Sequence, residues 1–131
     1  MRTLSFAAIV ACLIAVQPVS AQESKTDKPK QFIYVLHLVP RLYDDKAWTE
    51  DDKAAVQLHF NRFKDAIKTG QLILAGRTLE TGEKTFGVAI FEAVDENAAR
   101  AFMNADPAVI AGVMTAELHP FGVALERKNP Q

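Results

Sequence analysis

The stretch from Thr49 to Gly70 constrains this chain most, because its residues fit one long helix and little else. Thr49 offers a capping hydroxyl, Glu50, Asp51 and Asp52 suit the positive end of a helix dipole, and Gly70 can close the helix in a left-handed conformation. Between these ends Val56, Phe60, Phe63 and Ile67 recur at spacings of four, three and four, which places them on one face. The spacing predicts a helix ending near residue 69, with that stripe and the other phenylalanines, Phe86, Phe91 and Phe102, in the core.

Strand signals lie on both sides of it. Phe32-Ile33-Tyr34-Val35-Leu36-His37-Leu38-Val39 is rich in aromatic and β-branched residues and stops at Pro40, predicting a first strand over 32–39 with apolar residues on both faces. Residues 71–76 and 85–91 read as an antiparallel hairpin joined through Thr81-Gly82-Glu83-Lys84. Asp95 is placed to cap a second helix over 96–105, with Ala98, Ala99, Phe102 and Met103 on its apolar side. A last strand falls within 113–125, where Pro120 demands an edge position or a bulge.

The order strand, helix, strand, strand, helix, strand gives an α+β fold: a ferredoxin-like βαββαβ unit whose four-stranded antiparallel sheet carries both helices on one face. The other face keeps apolar residues without cover, so a homodimer through the sheet face is expected.

Composition narrows the partners. At 131 residues and 49% hydrophobic the chain supports one domain with a real core. A net charge of −1 and a pI near 6.3 argue against a nucleic-acid partner. The N-terminus has the pattern of a signal peptide over 1–21: Arg2, an apolar run over 4–16, then Val19-Ser20-Ala21 before the cleavage point. Cys12 in Ile9-Val10-Ala11-Cys12 suggests a lipoprotein box as the alternative, against which the apolar run continues beyond the cysteine. The expectation is an exported protein, periplasmic or secreted, with no membrane anchor after cleavage. Cleavage would leave 131 − 21 = 110 residues without a cysteine, so no disulfide can help the fold. Residues 22–31 read as a flexible leader, 32–126 as the domain and 127–131 as a polar tail.

Chemistry concentrates on Asn104-Ala105-Asp106-Pro107-Ala108-Val109-Ile110-Ala111-Gly112 together with His59. Asp followed by Pro is a standard helix start, which accounts for Asp106 before any catalysis is invoked. On the helical wheel His59 falls about 60 to 70° from the centre of the apolar stripe, at its rim. There it is either a boundary histidine satisfied by a hydrogen bond or an imidazole facing a cleft, oriented by a carboxylate and able to move protons. Arg41, Tyr43 and Arg77 stand at strand or loop ends where a pocket can open, and an arginine fork suits a carboxylate ligand; solvated surface is the plainer alternative. His37, His59 and His119 match no compact metal motif, and no phosphate loop, dinucleotide fingerprint or nucleophile elbow is present. No metal and no cofactor are expected.

From His59 onward the chain resembles the YCII-related domain family, small ferredoxin-like proteins of the dimeric α/β-barrel group. The resemblance is carried by His59 with Asn61-Arg62-Phe63, by Gly70-Gln71-Leu72-Ile73-Leu74-Ala75-Gly76, by Asn104-Ala105-Asp106-Pro107, by Ala111-Gly112-Val113 and by Pro120-Phe121. It implies a dimer and a pocket holding a histidine and an aspartate, which fall on His59 and Asp106. The chain departs from the usual pattern at Arg77, where a proline commonly follows Ala-Gly, and at Ala108, where an aromatic commonly follows Asp-Pro. Two functions stay open: a cofactor-independent enzyme using a His–Asp pair in lyase, isomerase or dehydrohalogenase-type chemistry on a small molecule, or a non-enzymatic dimeric protein that binds a small ligand in the same cleft.

Overall fold

The computed structural model describes residues 28–127; the expected signal peptide, its cleavage point, Cys12 and residues 128–131 lie outside that range. Strand β1 (Lys30–Leu38) begins two residues earlier than its apolar run, so the last residues assigned to a leader are strand. Helix α1 (Glu50–Lys68) is followed by the hairpin strands β2 (Leu72–Arg77) and β3 (Phe86–Ala93). Helix α2 (Glu96–Asn104), the four-residue α3 (Pro107–Ile110) and strand β4 (Met114–Phe121) complete the chain.

The sheet order is β2-β3-β1-β4 with every neighbouring pair antiparallel, the arrangement of a ferredoxin-like α+β unit. Pro120 sits on β4, an edge strand, where its missing N–H interrupts no ladder on the outer side. On β1, Phe32, Tyr34 and Leu36 point into the core, while Ile33 and Val35 stay half-buried and His37 exposed on the opposite face. The core gathers the inner residues of β1 with Phe63, Leu72, Ala89, Phe91, Ala99 and Met103. Phe91 is fully buried and stacks on Phe102, ring centroids 4.7 Å apart.

Helix α1 starts with a complete capping box: the Asp52 N–H donates to the Thr49 hydroxyl and the Thr49 N–H to the Asp52 carboxylate. Arg41 forks onto the same carboxylate at 2.6 and 2.8 Å. At the other end Gly70 takes φ +80°, a left-handed turn that leads straight into β2.

The helix is turned relative to the expectation from its apolar stripe. Its buried residues are Asp52, Ala55, His59, Phe63 and Ala66, a face centred on His59, whereas Phe60 is 57% and Ile67 51% exposed. At 100° per residue the buried face lies about 70° from the stripe. Two small alanines let the helix approach its neighbours closely, and Asp52 and His59 bury because each is paired. The large apolar side chains Val56, Phe60 and Ile67 are left to line a cavity. Phe86, 38% exposed on the outer sheet face, is likewise not core.

Candidate active site

Three buried side chains from three elements meet behind that cavity. Asp106, fully buried, ends the tight connection after α2 and caps α3, its carboxylate accepting from the Ala108 N–H at 2.9 Å. Pro107 takes the first helical position and Gly112, at φ +69°, closes the turn, so local sequence shapes the backbone that carries the aspartate. Helix α1 brings His59, 6% exposed, so that its Nδ1 lies 2.8 and 2.7 Å from the two Asp106 oxygens. Strand β1 brings Tyr34, also fully buried, whose hydroxyl donates to Asp106 Oδ2 at 2.9 Å.

One carboxylate therefore accepts from an imidazole, a phenol and a backbone amide. Burial pushes the Asp106 carboxyl up, but the hydrogen bond and charge of His59, then the Tyr34 hydroxyl and the Ala108 N–H, together outweigh it and hold the group below the usual carboxylate range. Burial, reinforced by the adjacent Asp106 charge, pushes the Tyr34 phenol well above the ordinary tyrosine range and keeps it a neutral donor. Because an ionised carboxylate only accepts, its partner Nδ1 carries the proton, and in the neutral form of the imidazole Nε2 is the free ring nitrogen.

His59 lines a cavity of about 600 Å³ between α1 and the sheet, and its Nε2 has no hydrogen-bond partner among the described residues. The walls are apolar, formed by Leu36, Trp48, Val56, Phe60, Phe63, Ile67, Leu72 and Met114. Thr85, Lys64 and Arg77 add polar groups. An apolar cleft with few convergent polar groups is the ordinary form of a small-molecule site.

His59 and Asp106 are thus brought together, and Arg77 reaches the same cavity. Arg41 and Tyr43 do not line it: Arg41 is held by Asp52, and Tyr43 lies 39% exposed in the connection before α1. His37 is exposed beside Phe86, and His119 Nε2 lies 3.6 Å from Glu117 on the outer face, both away from His59. Among the described residues no group of three or more His, Cys, Asp or Glu side chains could hold a metal ion.

Sequence reasoning missed Tyr34 and Arg62. Tyr34 is the one hydroxyl on the inner face of β1, between Phe32 and Leu36, and that contrast was its only signal. Arg62 lies over the Phe102 ring at 3.9 Å and donates to the Phe102 carbonyl at 2.6 Å, while its buried Nη1 has no hydrogen-bond partner among the described residues. Its charge beside Tyr34 partly offsets the rise in the phenol's pKa.

Residues 35–121, two thirds of the chain, match the model of the YCII-related domain. The chain belongs to the YCII-related domain family. No curated protein matches it. The YCII-related region spans His59, Asp106 and the cavity, but it starts just after Tyr34 in sequence, so the third member of the cluster lies one residue outside the match.

Acid should loosen this site and the α1 cap together. The Arg41 fork, with Thr49, holds Asp52 well below the usual carboxylate range, as His59 does for Asp106. A depressed folded-state pKa means that the unfolded chain binds more protons, so both contributions are fully present above about pH 4 and are lost as pH falls below it. Urea midpoints at pH 7, 4 and 3 should hold between the first two and drop at the third; a constant midpoint down to pH 3 would contradict these assignments.

Proposed function

We propose that this YCII-related protein is a cofactor-independent enzyme that moves a proton on a small molecule, with His59 as the base. Nε2 takes a proton from the bound molecule, Asp106 stabilises the imidazolium that results, and Tyr34 holds Asp106 in place. The proton is then returned to a neighbouring carbon, as in an isomerase, passed to a departing hydroxyl or amine, as in a lyase, or released to solvent while a halide leaves with its bonding electron pair, as in a dehydrohalogenase. The observation that carries the reading is the pairing of a fully buried carboxylate with Nδ1 of a histidine that lines an apolar cavity and whose Nε2 has no hydrogen-bond partner among the described residues.

A second reading, a non-enzymatic dimeric binding protein, is favoured by the lining itself, since His59, Thr85 and Trp48 bring the neutral polar groups of a largely apolar wall among the described residues. A metabolite screen on the purified protein, read by both thermal shift and product formation with His59→Gln as control, separates the two. Product that disappears in His59→Gln supports the enzyme. Thermal shifts that persist in His59→Gln without product support the binder.

The same proposal includes a homodimer through the outer sheet face, supported by Ile33, Val35, Val88 and Ile90 in register there with Leu74 half exposed. Light scattering should give twice the chain mass, and a monomer would remove this part. It also includes export, supported by the pattern over 1–21; the periplasmic or secreted fraction should then contain a chain beginning at Gln22.

A further inference from the structure

We infer that the cavity takes an amphipathic carboxylate, its apolar body along the α1 wall and its charge at a cationic rim formed by Lys64 and Arg77. The reading of His59 as base supports this only in fixing which end of the molecule reacts, opposite the carboxylate.

Charge at the cavity is one-sided. Lys64 and Arg77 both line it, and no acidic side chain among the described residues does. The chain as a whole carries −1, so this surplus is local. The other lysines at the two ends of α1 are neutralised, Lys53 by Glu50 at 2.7 Å and Lys68 by Asp65 at 3.0 Å. Lys64 has only the Phe60 ring, 5.9 Å away, and Arg77 makes no side-chain hydrogen bond or ion pair among the described residues. An arginine fork with nothing to hold at a cavity mouth suits a planar carboxylate.

Placement sets the shape of the molecule. Around the α1 wheel, measured from buried His59, Phe63 stands at roughly 40°, Val56 at 60°, Ile67 at 80°, Phe60 at 100° and Lys64 at 140°. The imidazole is therefore at the deep edge, the cation at the solvent edge, and a continuous apolar band lies between. Residues five apart in an ideal helix have Cα atoms roughly 9 Å apart. Arg77 faces this band from the end of β2, opposite Gly87 in register, and Gly87 backs onto Leu36 of the inner face. A two-carbon acid cannot touch both edges; an acid with a benzene ring or several methylenes can.

Trp48 is the only tryptophan and lines the cavity, so its fluorescence reports occupancy. The full-length chain is titrated with acetate, hexanoate, 4-phenylbutyrate and the uncharged 4-phenylbutyramide. Affinity is expected to rise from acetate to 4-phenylbutyrate, with the amide weaker by about tenfold, the size of one lost charge-assisted hydrogen bond. Lys64→Gln/Arg77→Gln should bring the carboxylate down to the affinity of the amide and leave the amide unchanged, which also shows that the variant is folded. Equal binding of amide and carboxylate by the parent, undiminished carboxylate binding by the double variant, or no saturable response to any of the acids would each overturn the inference. Rim-dependent carboxylate binding without His59-dependent turnover removes the enzyme reading and leaves this one standing; His59-dependent turnover of a neutral compound with no preference for acids does the reverse.

Discussion

Asp106→Ala is expected to destabilise the protein by about 3 to 5 kcal/mol, because it strips the acceptor from two buried donors, His59 Nδ1 and the Tyr34 hydroxyl, and removes the cap of α3 as well. Asp106→Asn should cost only about 1 to 2 kcal/mol. Its amide oxygen still accepts from the Ala108 N–H, so the cap survives. Its NH₂ group, however, now faces donors, and the nearest relief is for His59 to shift its proton from Nδ1 to Nε2. The nitrogen that faces the cavity would then be a donor rather than a base. Asp106→Asn should accordingly fold and fail to turn over, a separation that capping alone does not produce. Urea denaturation of both variants checks the first half; equal stability of Ala, Asn and parent proteins would contradict the hydrogen-bond accounting.

His59→Gln is expected to lower turnover by about 10² to 10⁴, the usual range for loss of a positioned general base. Its amide can still donate to Asp106, so the burial of the carboxylate remains compensated and the cavity walls are unchanged. Trp48 fluorescence should therefore still report ligand entry, with kcat lost and KM nearly kept. A variant that turns over at the parent rate would remove His59 from the chemistry and leave it a buried structural histidine.

Much of the fold was legible because its local signals agree with one another. Thr49 and Asp52 cap α1 from a recognisable sequence, Asp95 caps α2, and Asp106-Pro107 with Gly112 brackets α3. The strand order followed from element order and handedness. The rotation of α1 was not legible. A stripe of Val56, Phe60, Phe63 and Ile67 marks the apolar side of a helix, but apolarity serves a ligand cavity as well as a core. Here the buried face takes Ala55 and Ala66, with Asp52 and His59 buried on the same face by partners 11 and 47 residues distant in the chain. Those partners, and Tyr34, are tertiary facts that no period of 3.6 or 2 encodes. The meeting of His59 with Asp106 was suggested by the YCII-related resemblance; that it occurs at the centre of the buried face of α1, and not at its rim, is visible only in the folded chain.

The measurement nearest to the central claim needs no substrate. Long-range ¹H–¹⁵N correlation spectra of the imidazole, compared between the parent protein and Asp106→Asn, report which nitrogen of neutral His59 carries the proton. The hydrogen bonds to Asp106 predict a protonated Nδ1 and an unprotonated Nε2 in the parent, with the proton moved to Nε2 in Asp106→Asn. A parent spectrum with the proton on Nε2 would mean that the cavity meets a donor, and His59 could not act there as the base.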